Sequence, residues 1–166
     1  MPSYINPLAT TIHLPVSGLG GVPAFSASYN LIYQGVSRTI TTQPDFVIIN
    51  HGHNDSPTAT ATITASVTST MNLLLAAYTK AQFFYVQPIG TVPSAAFLLA
   101  IQAGIAACNQ PQRVSYITTI NTITSPQQSS DGIHPYGWLD KSTIAPTIAT
   151  NIQAAINNIT RRYTHQ

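Results

Sequence analysis

The chain has 166 residues, of which 44% are hydrophobic and only 6% charged, with a formal net charge of +2. That is enough apolar content for one domain with a real core, and too little net charge for charge-driven disorder. Arg161 and Arg162 are the only adjacent cationic pair, so the Lys/Arg cluster that a nucleic-acid surface requires is missing.

The only carboxylate side chains are Asp45, Asp55, Asp131 and Asp140, because the sequence contains no Glu. Any acid, base or orienting carboxylate must be one of these. A single cysteine, Cys108, excludes an internal disulfide and a multi-cysteine zinc site, and its alanine-rich neighbours make it a small buried hydrophobe. No apolar stretch approaches the roughly 18 residues of a membrane span. Met1-Pro2-Ser3-Tyr4 is not the basic start of a signal peptide. The Thr-rich, uncharged composition suits an extracellular or cell-surface protein.

In chain order, residues 1–9 form an N-terminal arm, and Thr10 to Val16 is a β-leaning run ending at Ser17-Gly18-Leu19-Gly20-Gly21. Val22 to about Ile40 reads mostly as helix, weakened by Gly35. Pro44-Asp45 precedes a buried strand, Phe46 to Asn50, and Asn54-Asp55-Ser56-Pro57 ends that unit. From Thr60 to Thr79, Ile63, Val67, Met71, Leu74, Leu75 and Tyr78 recur at helical spacing. Phe83 to Val86 is a second buried strand, stopped by Pro88. Pro93-Ser94 opens a helix that runs to about Cys108. Arg113 to Ile117 is a third strand, Thr118 to Ser130 a loop, and Lys141 to Ile159 the last helix, with Pro146 in its first turns. Residues 160–166 are a tail. Strands alternating with helices predict βαβ units, hence an α/β fold with a parallel sheet covered on both faces. Ligands of such sheets sit beyond the carboxyl ends of the strands.

Two patches carry the chemistry. His51-Gly52-His53-Asn54-Asp55 follows the first buried strand, and Asp131-Gly132-Ile133-His134-Pro135 precedes the last helix. Asp131, three residues before His134, can hold the imidazole by Nδ1–H and leave Nε2 free as a base. Asn54 at a strand end can donate to an oxyanion, or simply close an Asx turn. His51, His53 and Asp55 alternate as metal ligands on an extended strand would. The segment is turning, however, and no further ligand lies nearby, so neither a metal nor a cofactor is expected.

These patches resemble those of the SGNH (GDSL-type) hydrolases, esterases and lipases built on a flavodoxin-like sheet. Pro44-Asp45-Phe46-Val47 with Gly52-His53-Asn54-Asp55 is similar to that family's third block, and Asp131-Gly132-Ile133-His134-Pro135 to its fifth. Ser17-Gly18 is similar to the second block. The resemblance covers residues 10 to 159 and implies a three-layer fold and a Ser-His-Asp ester hydrolase. His134 would be the base, Asp131 its orienter, and Asn54 with Gly18 the oxyanion hole. The implied substrate is an acetyl or short-chain ester, including those of acetylated glycans.

One block departs. No Gly-Asp-Ser occurs anywhere in the sequence, so the nucleophile is not located and Ser17 is the fallback. The first βα unit, central in the family's sheet, is expected to be missing, which would leave backbone groups unpaired. A second chain, a peptide or a homo-oligomer would then complete the sheet, or the chain would be part of a longer protein. The competing function is a non-catalytic SGNH-like module that binds a glycan or a protein. If a second piece fills the sheet, purified material will contain it alongside the 17.7 kDa chain. Intact-mass analysis that finds one monomeric species of that mass would contradict the expectation.

Overall fold

In the computed structural model the described residues are 31–33, 36–37, 43–52, 55, 58–89, 93–119 and 140–164. Three five- and four-residue strands carry the sheet: β3 (Phe46–Asn50), β4 (Gln82–Val86) and β5 (Val114–Ile117). They are parallel in the order β3-β4-β5, with Ile49 opposite Tyr85 and Tyr85 opposite Tyr116. Parallel neighbours need crossovers, and two helices supply them: α1 (Thr60–Ala77) and α2 (Ala95–Ala106). A third helix, α3 (Ala145–Thr164), follows a π-helical turn at Asp140–Ile144. Pro146 is the second residue of α3, at the junction with the π-helical turn.

Side chains alternate across the strands and so build two cores. Val47, Ile49, Phe83 and Tyr85 point into one with Ile63, Val67, Met71, Leu74 and Leu75 of α1 and Phe97 and Ile101 of α2. Phe84, Val86 and Ile117 pack on the other side with Ile148, Ile152 and Ile156 of α3, and the Phe46 and Phe84 rings lie 5.7 Å apart. The expected layering of helices, parallel sheet and helix is therefore present. The α1 periodicity read from the sequence coincides with its buried face, and Cys108 lies in the first core.

The two crossover helices contain no charged residue, and hydroxyls and close backbone packing join them instead. Thr64 donates to the Ala100 carbonyl at 3.1 Å, and Thr68 donates to the Gly104 carbonyl at 3.1 Å and to Thr64 of its own helix at 2.8 Å. A Cβ on Gly104 would lie 2.7 Å from the Val67 Cβ and 2.8 Å from the Thr64 carbonyl oxygen. Ser94 caps α2 by accepting from the Phe97 N–H at 3.2 Å. The carboxyl end of α1 is capped from elsewhere. Gln43 donates to the Ala77 carbonyl and accepts from the Thr79 N–H, while Arg113 donates to the carbonyls of Tyr78 and Ala81. A cation among orphan carbonyls at a helix end satisfies both their hydrogen bonding and the helix dipole. The Arg113 guanidinium also lies 5.5 Å from the Phe83 ring centroid.

One sequence expectation is corrected. The helix expected over 22–40 is not formed at its carboxyl end: β1 (Leu31–Tyr33) pairs with β2 (Val36–Ser37) as an antiparallel ladder. Ile32, Tyr33 and Val36 prefer strand. The strand expected at Thr10 to Val16 and the missing first βα unit fall on residues outside the described ones.

The helix contact yields a direct test. Gly104→Ala pushes a methyl against Val67 and the Thr64 carbonyl, and is expected to lower stability by about 1–3 kcal/mol. Urea unfolding with an unchanged slope and a lowered midpoint would record it.

Candidate active site

The parallel ladder brings every strand's carboxyl end to one edge of the sheet, and the polar groups gather there. The last paired row is Asn50, Val86 and Ile117. Beyond it the Gln87 N–H donates to the Ile117 carbonyl at 2.9 Å, and Thr119 donates to the Gln87 carbonyl at 3.3 Å. Asn151 of α3 donates to the Thr118 carbonyl at 2.8 Å, tying that helix to the same end.

At the end of β3 the chain turns at Gly52, whose φ of +99° belongs to a region that residues with a Cβ rarely adopt. A Cβ there would also stand 3.1 Å from the tip of the Phe97 ring and 3.6 Å from Pro88 Cγ. The turn closes when the Asp55 N–H donates to the Gly52 carbonyl at 3.0 Å, and continues when Thr58 N–H donates to the Asp55 carbonyl at 2.8 Å. Two residues later α1 begins. His51 and Asp55 are both buried, Asp55 with none of its surface exposed. Gln87, also buried, lies at the same sheet edge.

One row inside the sheet's carboxyl end lies Ile49–Tyr85–Tyr116. Burial, then the Asp55 carboxylate, then Tyr116 push the Tyr85 hydroxyl well above the ordinary phenol range. Burial pushes Tyr116 up to about 12, although the side chain of Gln102 pulls it back. Both rings therefore stay neutral in the folded protein. Because the folded values lie above the unfolded value near 10, the stability they contribute is fully present below that pH. It is lost as pH rises through the folded values.

The geometry separates the sequence-derived candidates. Gly52 and Asp55 flank Asn54 and form a tight buried turn at the sheet's carboxyl end. Asn54 itself, together with Ser17, Gly18, Asp131 and His134, lies outside the described residues, as does His53. The positive φ at Gly52 ends the extended backbone that a His51–His53–Asp55 ligand row would need. Among the described residues no group of three or more His, Cys, Asp or Glu side chains could hold a metal. None of the described helices is long and apolar enough to cross a membrane. Sequence reading gave Tyr85 and Gln87 no role. Within Phe83-Phe84-Tyr85-Val86-Gln87 the tyrosine reads as one more core aromatic.

No protein-family model matches the chain, and neither does any curated protein. Among solved structures it is similar to an active-site mutant of a family two carbohydrate esterase from Clostridium thermocellum, in complex with a cello-oligosaccharide. The TM-score is 0.61 at 19% identity, over 82% of this chain and 43% of that one. The chain thus spans less than half the length of that esterase. The likeness establishes the α/β fold, with its parallel sheet between helices.

The turn is open to test. Gly52→Ala forces a Cβ into a left-handed position and is expected to destabilise by about 1–3 kcal/mol. Phe97→Leu removes the ring contact at its own cost in core packing, so backbone strain predicts that Gly52→Ala costs about as much in the Phe97→Leu background as in the parent. Thermal and denaturant unfolding of the parent, the two single variants and the double variant measure this.

Proposed function

We propose that the chain is an ester hydrolase that removes acetyl or other short acyl groups from carbohydrate. The observation that carries this reading is the buried Gly52–Asp55 turn at the carboxyl end of β3, where open α/β sheets bind their ligands. It holds a Gly-x-Asn-Asp sequence in a fold shared with a carbohydrate esterase. That esterase was solved with a cello-oligosaccharide, which supports a glycan ester over a lipid.

In this reading a serine Oγ attacks the ester carbonyl carbon while His134 Nε2 takes its proton. Asp131 accepts from Nδ1–H of the same ring and stabilises the imidazolium. The carbonyl oxygen becomes an oxyanion, which the Asn54 side-chain amide and the Gly18 N–H receive. Collapse breaks the bond to the sugar oxygen, which leaves with the proton held by His134. Water, deprotonated in turn by His134, then releases the acid and restores the serine. Ser17 is the fallback candidate for the nucleophile. No metal or cofactor enters these steps.

One observation favours a second reading. The chain lacks Gly-Asp-Ser, and a module that binds a glycan or a protein without cleaving it would need no nucleophile. Asn54, Asp131 and His134 would have no catalytic use in such a module, which favours hydrolysis.

A fluorophosphonate probe followed by peptide mapping separates the two. The hydrolase reading expects one labelled serine whose labelling disappears in His134→Ala. It also expects Asn54→Ala to lower kcat on p-nitrophenyl acetate about 100- to 1,000-fold. A folded protein that takes no label and cleaves no ester would leave the binding module.

A further inference from the structure

Phe97 is a core side chain whose ring reaches the candidate site. It comes from the first turn of α2, and its Cζ and Cε1 would stand 3.1 and 3.5 Å from a Cβ on Gly52. The ring thus fills the space in which a side chain at that position would lie. Pro88, just past β4, closes the same space with its Cγ at 3.6 Å. Such walls matter because glycine reaches many backbone conformations at similar cost and has no side chain to anchor it. Packing must therefore select the φ of +99° that turns the chain out of β3. The ring itself is held at both ends. Ser94 accepts from the Phe97 N–H at 3.2 Å, and the side chain packs in the core with Val47, Ile49 and Ile101. The Gly52 carbonyl that follows receives the Asp55 N–H, and the Asp55 carbonyl receives the Thr58 N–H.

We infer that Phe97 is a positioning residue: its ring, braced by the α2 cap, confines the Gly52 backbone and sets the Gly52–Asp55 turn. This deepens the esterase reading and rests on it in one respect, that the turn presents the oxyanion donor. Phe97 is only 1% exposed, so it acts through Gly52 and not on the substrate. The start of α2 and the end of β3 are thereby one mechanical unit.

Two substitutions move the ring tip in opposite directions. Phe97→Leu withdraws it, and Phe97→Tyr adds an oxygen at Cζ, the ring atom nearest the Gly52 position. Ile101→Val, one helical turn further along α2 in the same core, is the comparison. Native-state hydrogen exchange of the whole chain should show the Asp55 and Thr58 amides of both Phe97 variants exchanging about tenfold faster relative to the β4–β5 ladder amides. Ile101→Val should leave that ratio unchanged. With p-nitrophenyl acetate, kcat should fall in both Phe97 variants while KM stays constant, as expected for a donor misplaced only in the transition state. An unchanged ratio in either folded Phe97 variant, or an equal change in Ile101→Val, would overturn the inference. So would local acceleration in an active enzyme whose kcat does not move. Local acceleration in a protein whose parent cleaves no ester would uphold the Phe97–Gly52 link while removing the esterase reading.

Discussion

Gly52 takes the backbone out of β3 at a φ of +99°, where a Cβ would stand 3.1 Å from the tip of the Phe97 ring. Much of the described structure depends on that reversal. Because the chain turns there, Asp55 can fold back on the Gly52 carbonyl, and α1 can start at Thr60 and return along the sheet. The conformational strain is the glycine's to absorb, and Phe97, capped into α2 by Ser94, closes the wall behind it.

Around this turn the protein is held together with few charges. Neither α1 nor α2 contains an ionic side chain. Their contact relies on Gly104 lying against Val67 and on threonine hydroxyls reaching across to carbonyls of the partner helix. Arg113 does at the far end of α1 what an ion pair does elsewhere, but its partners are the carbonyls of Tyr78 and Ala81 and the side chain of Gln110. Such an arrangement depends little on salt, because dipoles rather than exposed opposite charges answer the cation. The carboxylate at the other end of the sheet, Asp55, is equally removed from water. Arg113 and Asp55 are thus two charged side chains that the described fold takes in rather than leaving on its surface.

The sequence was most legible where burial and periodicity coincide. Ile63, Val67, Met71, Leu74, Leu75 and Tyr78 announced α1 at helical spacing, and the runs Phe46 to Asn50 and Phe83 to Val86 announced strands, since a sheet covered on both faces needs continuous apolar residues. It was least legible at Leu31–Tyr33 and Val36–Ser37, where short strands with a glycine between them had no long period to mark them. At the site, the Gly-x-Asn-Asp turn could be read as a motif. That Gly52 would take a φ of +99° and that Asp55 would be fully buried depended on how the turn packs against the rest of the fold, which no local pattern encodes.

The central claim is that acyl chemistry takes place at the carboxyl end of this sheet, beside the Gly52–Asp55 turn. Chemical-shift mapping of isotope-labelled protein before and after treatment with an alkyl fluorophosphonate tests it most directly. The account predicts that perturbed backbone amides concentrate at Gly52, Asp55, Gln87 and Thr119, which meet at that edge. Perturbation confined to the outer faces of α1 and α2, or none at all, would contradict it.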